Sequence, residues 1–182
     1  MQKKGLVIIP VIFLLIFSCS GAQKGAIMVT EMKSFPYCAV EMTGSYEQMP
    51  IATSILATEL AGQKINAENA YFSIFWNDPA VTPAELLKFE VGAALAAPAS
   101  EVKEPLKLKT WIFPLVANKE YAGEFSPELM GKLYQELFDW AGKNGYTIAG
   151  PFIVKFFSDV EPDANGNMST KLAAFIPVQK IN

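Results

Sequence analysis

Phe75-Trp76-Asn77-Asp78, and again Phe156-Phe157-Ser158-Asp159, end two strands in the same way: an apolar ring, a second ring, a polar residue, an aspartate. The same order of signals surrounds each. The first is preceded by a strand over Tyr37–Met42, a turn at Gly44-Ser45-Tyr46-Glu47, and a helix from about Met49 to Leu60. In that helix Ile51 and Ile55, and Ala52, Leu56 and Ala57, recur at helical spacing. Gly62 punctuates the helix, Tyr71–Trp76 reads as a strand, and Lys88–Leu95 closes the unit after a turn at Asn77-Asp78-Pro79. The second is preceded by a strand over Thr110–Val116, a turn at Asn118-Lys119-Glu120-Tyr121, and a helix with Ser126 as N-cap and Pro127 as its first residue. Leu129, Leu133, Leu137 and Trp140 form one stripe of that helix, which Lys143-Asn144-Gly145 ends. Strands Phe152–Phe157 and Lys171–Val178 follow. The expected class is therefore α+β. It consists of duplicated β-α-β-β units, about 31–97 and 106–180, with antiparallel sheets, helices on the outside and a groove between repeats. A single unit could bury little; two can share a core, and the junction between them is a natural ligand site.

The chain of 182 residues is 51% hydrophobic, enough to fill a core, and carries a net charge of −3 with no basic run in its body. No nucleic-acid footprint is expected from such a balance. There is no histidine and there are only two cysteines, which excludes histidine-based nucleophile systems and the usual zinc sites. Neither a metal nor a cofactor is expected. The polar run from Asp159 to Asn167 lacks the spacing of a calcium loop and reads as a hairpin around Asn165-Gly166.

The first residues, Met-Gln-Lys-Lys, are basic, and an apolar run from Leu6 to Phe17 follows, interrupted by Pro10. It is shorter than the ~20 residues a membrane-crossing helix needs, and suits a signal peptide. Ile16-Phe17-Ser18-Cys19 resembles a bacterial lipobox, so Cys19 is the expected lipidation site. The expected organisation is a signal peptide over 1–18, a tether over 19–30 and a ligand-binding domain over 31–182, anchored in the cell envelope and facing the periplasm or exterior. Cys38, in a strand, reads as a small buried apolar residue.

Several pieces, in order, resemble the GyrI-like small-molecule-binding family, the effector-binding domain of certain multidrug-responsive bacterial regulators. They are Gly44-Ser45-Tyr46-Glu47, Phe89-Glu90-Val91-Gly92, the helix Leu133–Trp140, Asn144-Gly145-Tyr146 with Ala149-Gly150-Pro151, Phe157-Ser158-Asp159 and Phe175-Ile176-Pro177-Val178. The resemblance implies two β-α-β-β repeats around a groove that takes apolar compounds, cationic or aromatic ones included. Some family members resemble hydrolases of electrophilic small molecules.

Glu90 is the leading site residue. Alternation along Lys88–Leu95 sets Phe89, Val91 and Ala93 on one face and Glu90, Gly92 and Ala94 on the other, which is expected to face the groove. Ala173 stands where Glu90 would have its counterpart. Tyr46, Tyr71, Trp76, Trp111 and Tyr121 are the candidate groove rings. The expected function is binding of a small organic ligand, without nucleic acid and more readily than catalysis. If the protein is an enzyme, Glu90 and Tyr121 are the acid/base pair. A further alternative is a non-catalytic envelope interaction protein whose own side chains fill its groove.

Overall fold

Strand-forming runs alternate with two helices, of which the second is strongly amphipathic, and the computed structural model assembles the strands into one antiparallel sheet. It describes residues 25–97, 101–158, 160–162, 166 and 168–181. The strands are β1 (Met28–Glu31), β2 (Pro36–Thr43), β3 (Ala67–Phe75), β4 (Lys88–Leu95), β5 (Leu106–Thr110), β6 (Leu115–Glu124), β7 (Tyr146–Ile148), β8 (Phe152–Phe156), β9 (Glu161–Pro162) and β10 (Met168–Lys180). The helices are α1 (Met49–Gly62) and α2 (Pro127–Lys143). The sheet runs β1-β6-β10-β8-β3-β4-β2-β5, with the short β7 and β9 both paired to β10. The chain is thus α+β, a mostly antiparallel sheet with two helices. Signal peptide and Cys19 lie outside the described residues.

Each helix buries one face, but not every residue that spacing nominates: Ile55 and Trp140 are only partly buried. Ala52, Leu56 and Leu60 of α1 are buried, whereas Ile51 is exposed. In α2 the buried line is Leu129, Leu133, Leu137 and Ala141. Ser126 has the extended backbone of an N-cap, but its side chain makes no capping hydrogen bond. Gly145, at φ +75°, supplies the left-handed residue that ends α2. These stripes meet Phe89, Val91, Val154, Leu172, Ala174 and Ile176 from the sheet in one core.

Several boundaries differ from the expectation. Residues 110–116 are not one strand: β5 ends at Thr110 and pairs with β2, while β6 begins at Leu115 and pairs with β1 and β10. Asn118-Lys119-Glu120-Tyr121 is therefore mid-strand rather than a turn. Its polar residues are accommodated individually: the Asn118 amide donates to the Met28 carbonyl and the Thr30 hydroxyl, and Lys119 pairs with Glu136 of α2. Residues 28–30, expected in the tether, are the greater part of β1.

Short connectors determine the sheet's shape. β1 and β2 stand six places apart, about 29 Å in a flat sheet at 4.8 Å per strand. Residues 32–35 join them and can span only about 18 Å. The same mismatch holds between β5 and β6, joined by residues 111–114. The sheet must curl to bring its two ends together. The two connectors then run side by side: Trp111 N–H donates to the Phe35 carbonyl, and Met32 N–H to that of Pro114. The helix-free face becomes the inside of the curl, and Tyr37, Phe72, Ile74, Trp111, Val116 and Ile153 form a second buried cluster there. Phe35 stacks on Trp111 at 6.1 Å and meets Phe72 edge-on at 6.4 Å.

At Gly92 this inner packing leaves no space. A Cβ there would lie 2.9 Å from Phe72 Cε2 and 3.2 Å from Tyr37 Cδ2. Gly92→Ala should destabilise the protein by about 1–3 kcal/mol through overpacking. The check is the urea midpoint at unchanged m. An unaltered midpoint would mean that the two rings have room to separate.

Candidate functional site

The outer face of the sheet carries the open depression. α1 rests on β2 and β4, and α2 on β6, β7 and β10, so the central pair β3–β8 floors a gap between the helices. At one end of that pair the gap is closed by rings: Tyr46 on Phe75 at 4.9 Å, Phe75 on Phe152 at 5.9 Å, and Tyr134 on Phe152 at 5.6 Å. Towards the other end lies a cleft of about 670 Å³. Met49 and Thr53 of α1 form one wall, Tyr71 and Ser73 of β3 the floor, and Phe156 and Phe157 the far side.

The polar groups of the cleft are mostly committed. Ser73 donates to the Met49 sulfur at 3.2 Å, and Thr53 to the Met49 carbonyl at 2.9 Å. Ser158 Oγ accepts from the Lys171 backbone N–H at 3.0 Å. Tyr71 has no side-chain hydrogen bond among the described residues. The described lining residues are all uncharged.

Glu90 lies on the other face. Its carboxylate is buried, with 3% of its surface exposed, at one end of the inner cluster. Trp76 Nε1 donates to Oε1 at 2.7 Å, Lys109 Nζ to Oε1 at 2.6 Å, and the Tyr37 hydroxyl to Oε2 at 3.4 Å. Glu41 stands directly across the β2–β4 ladder from Glu90, a like-charge pair that would repel. Lys109 resolves this by bonding Glu41 as well, at 2.7 Å, with its ammonium 5.9 Å from the Trp76 ring centre. Burial opposes the Lys109 charge, but its bonds to Glu41 and Glu90 outweigh this and hold its pKa above the ordinary lysine value. Burial, with the facing Glu90 carboxylate, pushes the Tyr37 phenol well above the ordinary tyrosine range.

The six nominated ligand residues therefore do not converge. Glu90, Trp76 and Trp111 belong to the inner face. Trp76 is half-exposed at the rim, and Trp111 is buried with its Nε1 donating to the Phe113 carbonyl at 2.7 Å. Tyr46, Tyr71 and Tyr121 belong to the outer face, and of the six only Tyr71 lines the cleft. Tyr46 is fixed by donating to the Asn77 carbonyl at 2.6 Å. Tyr121 donates to the Glu124 carbonyl at 2.6 Å, opposite Leu172. Glu90 and Tyr121 cannot form an acid/base pair, since they sit four strands apart, about 19 Å, on opposite faces. Glu90 does not line the cleft for a related reason. Alternation correctly set it opposite the helix-packed face, but that face holds the cleft. Met49, Thr53, Ser73, Phe156 and Phe157 escaped the sequence reading, as did Lys109, Tyr37 and Glu41 around Glu90. Strand parity links Tyr71 and Ser73 to Phe75, but nothing local marks which face is open.

Removing Lys109 should leave the buried Glu90 facing Glu41. Lys109→Met is expected to cost about 3 kcal/mol, and Lys109→Met/Glu90→Gln less than the sum of the two single changes. Additive losses in urea titrations would show that the two side chains do not interact. Both raised pKa values have the same sign of linkage. The stability from protonated Tyr37 and Lys109 is complete below their ordinary values of 10.0 and 10.5, and is lost as pH rises through their folded values. Melting temperature should hold up to about pH 10 and fall above it, less steeply in Tyr37→Phe. Identical alkaline slopes for the two proteins would contradict this.

Comparison with known proteins agrees with this architecture. Residues 26–179 match the family described as GyrI-like small molecule binding domain. No curated protein matches the chain by sequence. Among solved structures, the C-terminal domain of EcmrR is similar with a TM-score of 0.68 at 10% identity, over 86% of this chain and 99% of that one. The chain spans only 58% of EcmrR in its complex with DNA, with a TM-score of 0.67 at 10% identity over the same 86%. A hydrolase from Listeria innocua is similar with a TM-score of 0.56 at 12% identity, over 86% of this chain and 93% of that one. At these identities the structural likeness speaks for the fold alone. The family match runs from just before β1 almost to the end of β10, and on it the chain belongs to the GyrI-like small molecule binding domain family.

Proposed function

We propose that the protein binds a small apolar organic ligand in the cleft beside α1, above β3 and the end of β8. The observation that carries this is the cleft itself. Its volume of about 670 Å³ lies within the range of about 300–1,000 Å³ usual for small-molecule sites. Its walls are Met49 and Thr53 of α1 and two phenylalanine rings, suited to a flat or branched apolar body. The inner face is a poor alternative, because its own aromatic side chains already fill it. The reading assigns the domain no nucleic-acid contact and no hydrolytic role.

The same reading treats the two halves as a duplication. Outward from the β8–β3 contact, β10 and β6 follow on one side, and β4 and β2 on the other. Each half supplies one helix, and the cleft lies at their seam. Glu90 and Ala173 occupy matching places, Glu90 across from Glu41 and Ala173 across from Glu120. We further propose that the chain is held in the cell envelope through a lipid on Cys19. The support is the lipobox-like Ile16-Phe17-Ser18-Cys19 and the apolar run before it.

Thr53→Trp, which fills the cleft from the α1 side, should abolish the thermal shift given by apolar aromatic compounds while leaving the far-ultraviolet spectrum unchanged. An undiminished shift would place the ligand elsewhere. Cys19→Ala should move the protein from the membrane to the soluble fraction and end incorporation of radiolabelled palmitate. Unchanged labelling would rule out Cys19.

A further inference from the structure

We infer that the end of the sheet carrying Phe157 and Met168 docks on the lipid bilayer, an inference that rests on the lipid anchor at Cys19. The first observation is the course of the chain ahead of β1. Gly25 lies against the backbone of Glu120, so close that a Cβ there would stand 3.2 Å from the Glu120 carbonyl oxygen. β1 follows, with Met28 opposite Asn118 and Glu31 opposite Leu115. Traced backwards, the chain therefore runs along β6 towards Glu124, which lies about 13 Å beyond Glu120. Gly25 comes six residues after Cys19, which limits their separation to about 21 Å. With acyl chains on Cys19 in the hydrocarbon core, the Glu124 end of the sheet is held within reach of the bilayer surface.

The second observation is what that end presents. Phe125 N–H donates to the Met168 carbonyl at 2.7 Å, which sets Met168 beside the last residue of β6. Phe157 N–H donates to the Lys171 carbonyl at 2.8 Å, one strand further across. Both apolar side chains, Phe157 and Met168, are about half-exposed, and Phe157 also lines the cleft. A ring and a thioether at a sheet end suit the boundary between headgroups and acyl chains. Two side chains hold a bilayer weakly by themselves, but so short a tether raises the effective concentration of lipid surface to about the millimolar range. The exposed carboxylates Glu124 and Glu161 give anionic headgroups no attraction, so the docking is apolar and zwitterionic lipid suffices. Ile112 is more exposed still, but it stands beyond the opposite end of β6, away from the anchor.

The test uses the lipidated protein, purified from membranes and reconstituted in phosphatidylcholine vesicles whose brominated acyl chains quench tryptophan fluorescence on contact. The native tryptophans sit away from the Met168 end: Trp76 follows β3, Trp111 follows β5, and Trp140 stacks on Tyr146 opposite Lys180. Their fluorescence should be unquenched. The fluorescence added by Met168→Trp should fall at least twofold, and that added by Ile112→Trp should not fall. Phe157→Asp placed beside Met168→Trp should restore the emission while the protein still floats with the vesicles. Quenching that persists in that double variant overturns the inference, because the tether alone then holds the end near lipid. Equal quenching of the Met168→Trp and Ile112→Trp reporters, or quenching of neither, also overturns it, while flotation leaves the anchor standing. A wild-type protein that does not float with vesicles defeats the anchor, and the docking falls with it.

Discussion

Two four-residue connectors constrain the whole molecule. Residues 32–35 and 111–114 each link strands that a flat sheet would hold about 29 Å apart, more than either segment can reach. The sheet curls, its ends meet through Trp111 and Phe35, and one face is turned inward. That face needs filling, and Tyr37, Phe72, Ile74, Trp111 and Ile153 fill it. The outer face takes both helices. Two helices on so wide a sheet leave a strip between them uncovered, and the cleft lies there.

The electrostatics follow from the same curl. Glu90, on the inner face of a central strand, is carried out of water opposite Glu41, an arrangement untenable without a counter-charge. Lys109 comes from β5, the edge strand beside β2, and its amine reaches both carboxylates. The ion group ties β4, β2 and β5 together near the rim, where Trp76 lies half-exposed. This ion group and the cleft lie on opposite faces of the sheet.

Much of the fold was legible from local pattern. The stripe from Leu129 to Leu137, Gly145 as a helix stop, and the strand Lys88–Leu95 each depend on neighbours three or four residues away, or two, and each stands where periodicity put it. Local pattern fails at Asn118–Tyr121, a polar run that predicts a turn. Those residues are tolerated in β6 because partners far along the chain, Met28, Thr30 and Glu136, satisfy them. No local signal carries that information.

Sequence alone settled the α+β class, the helices, the parity of Glu90, and the absence of any histidine to act as catalyst. It could do so because these properties are fixed by composition or by side-chain period. Which face of the sheet would be packed shut, and which left open, was a tertiary decision. It depends on how far two short connectors can stretch against the width of the finished sheet. Alternation sets Glu90 apart from Phe89 and Val91, and Tyr71 with Ser73 and Phe75; only the pairing of β3 with β4 and the closure of the sheet put Tyr71 on the cleft side and Glu90 on the other.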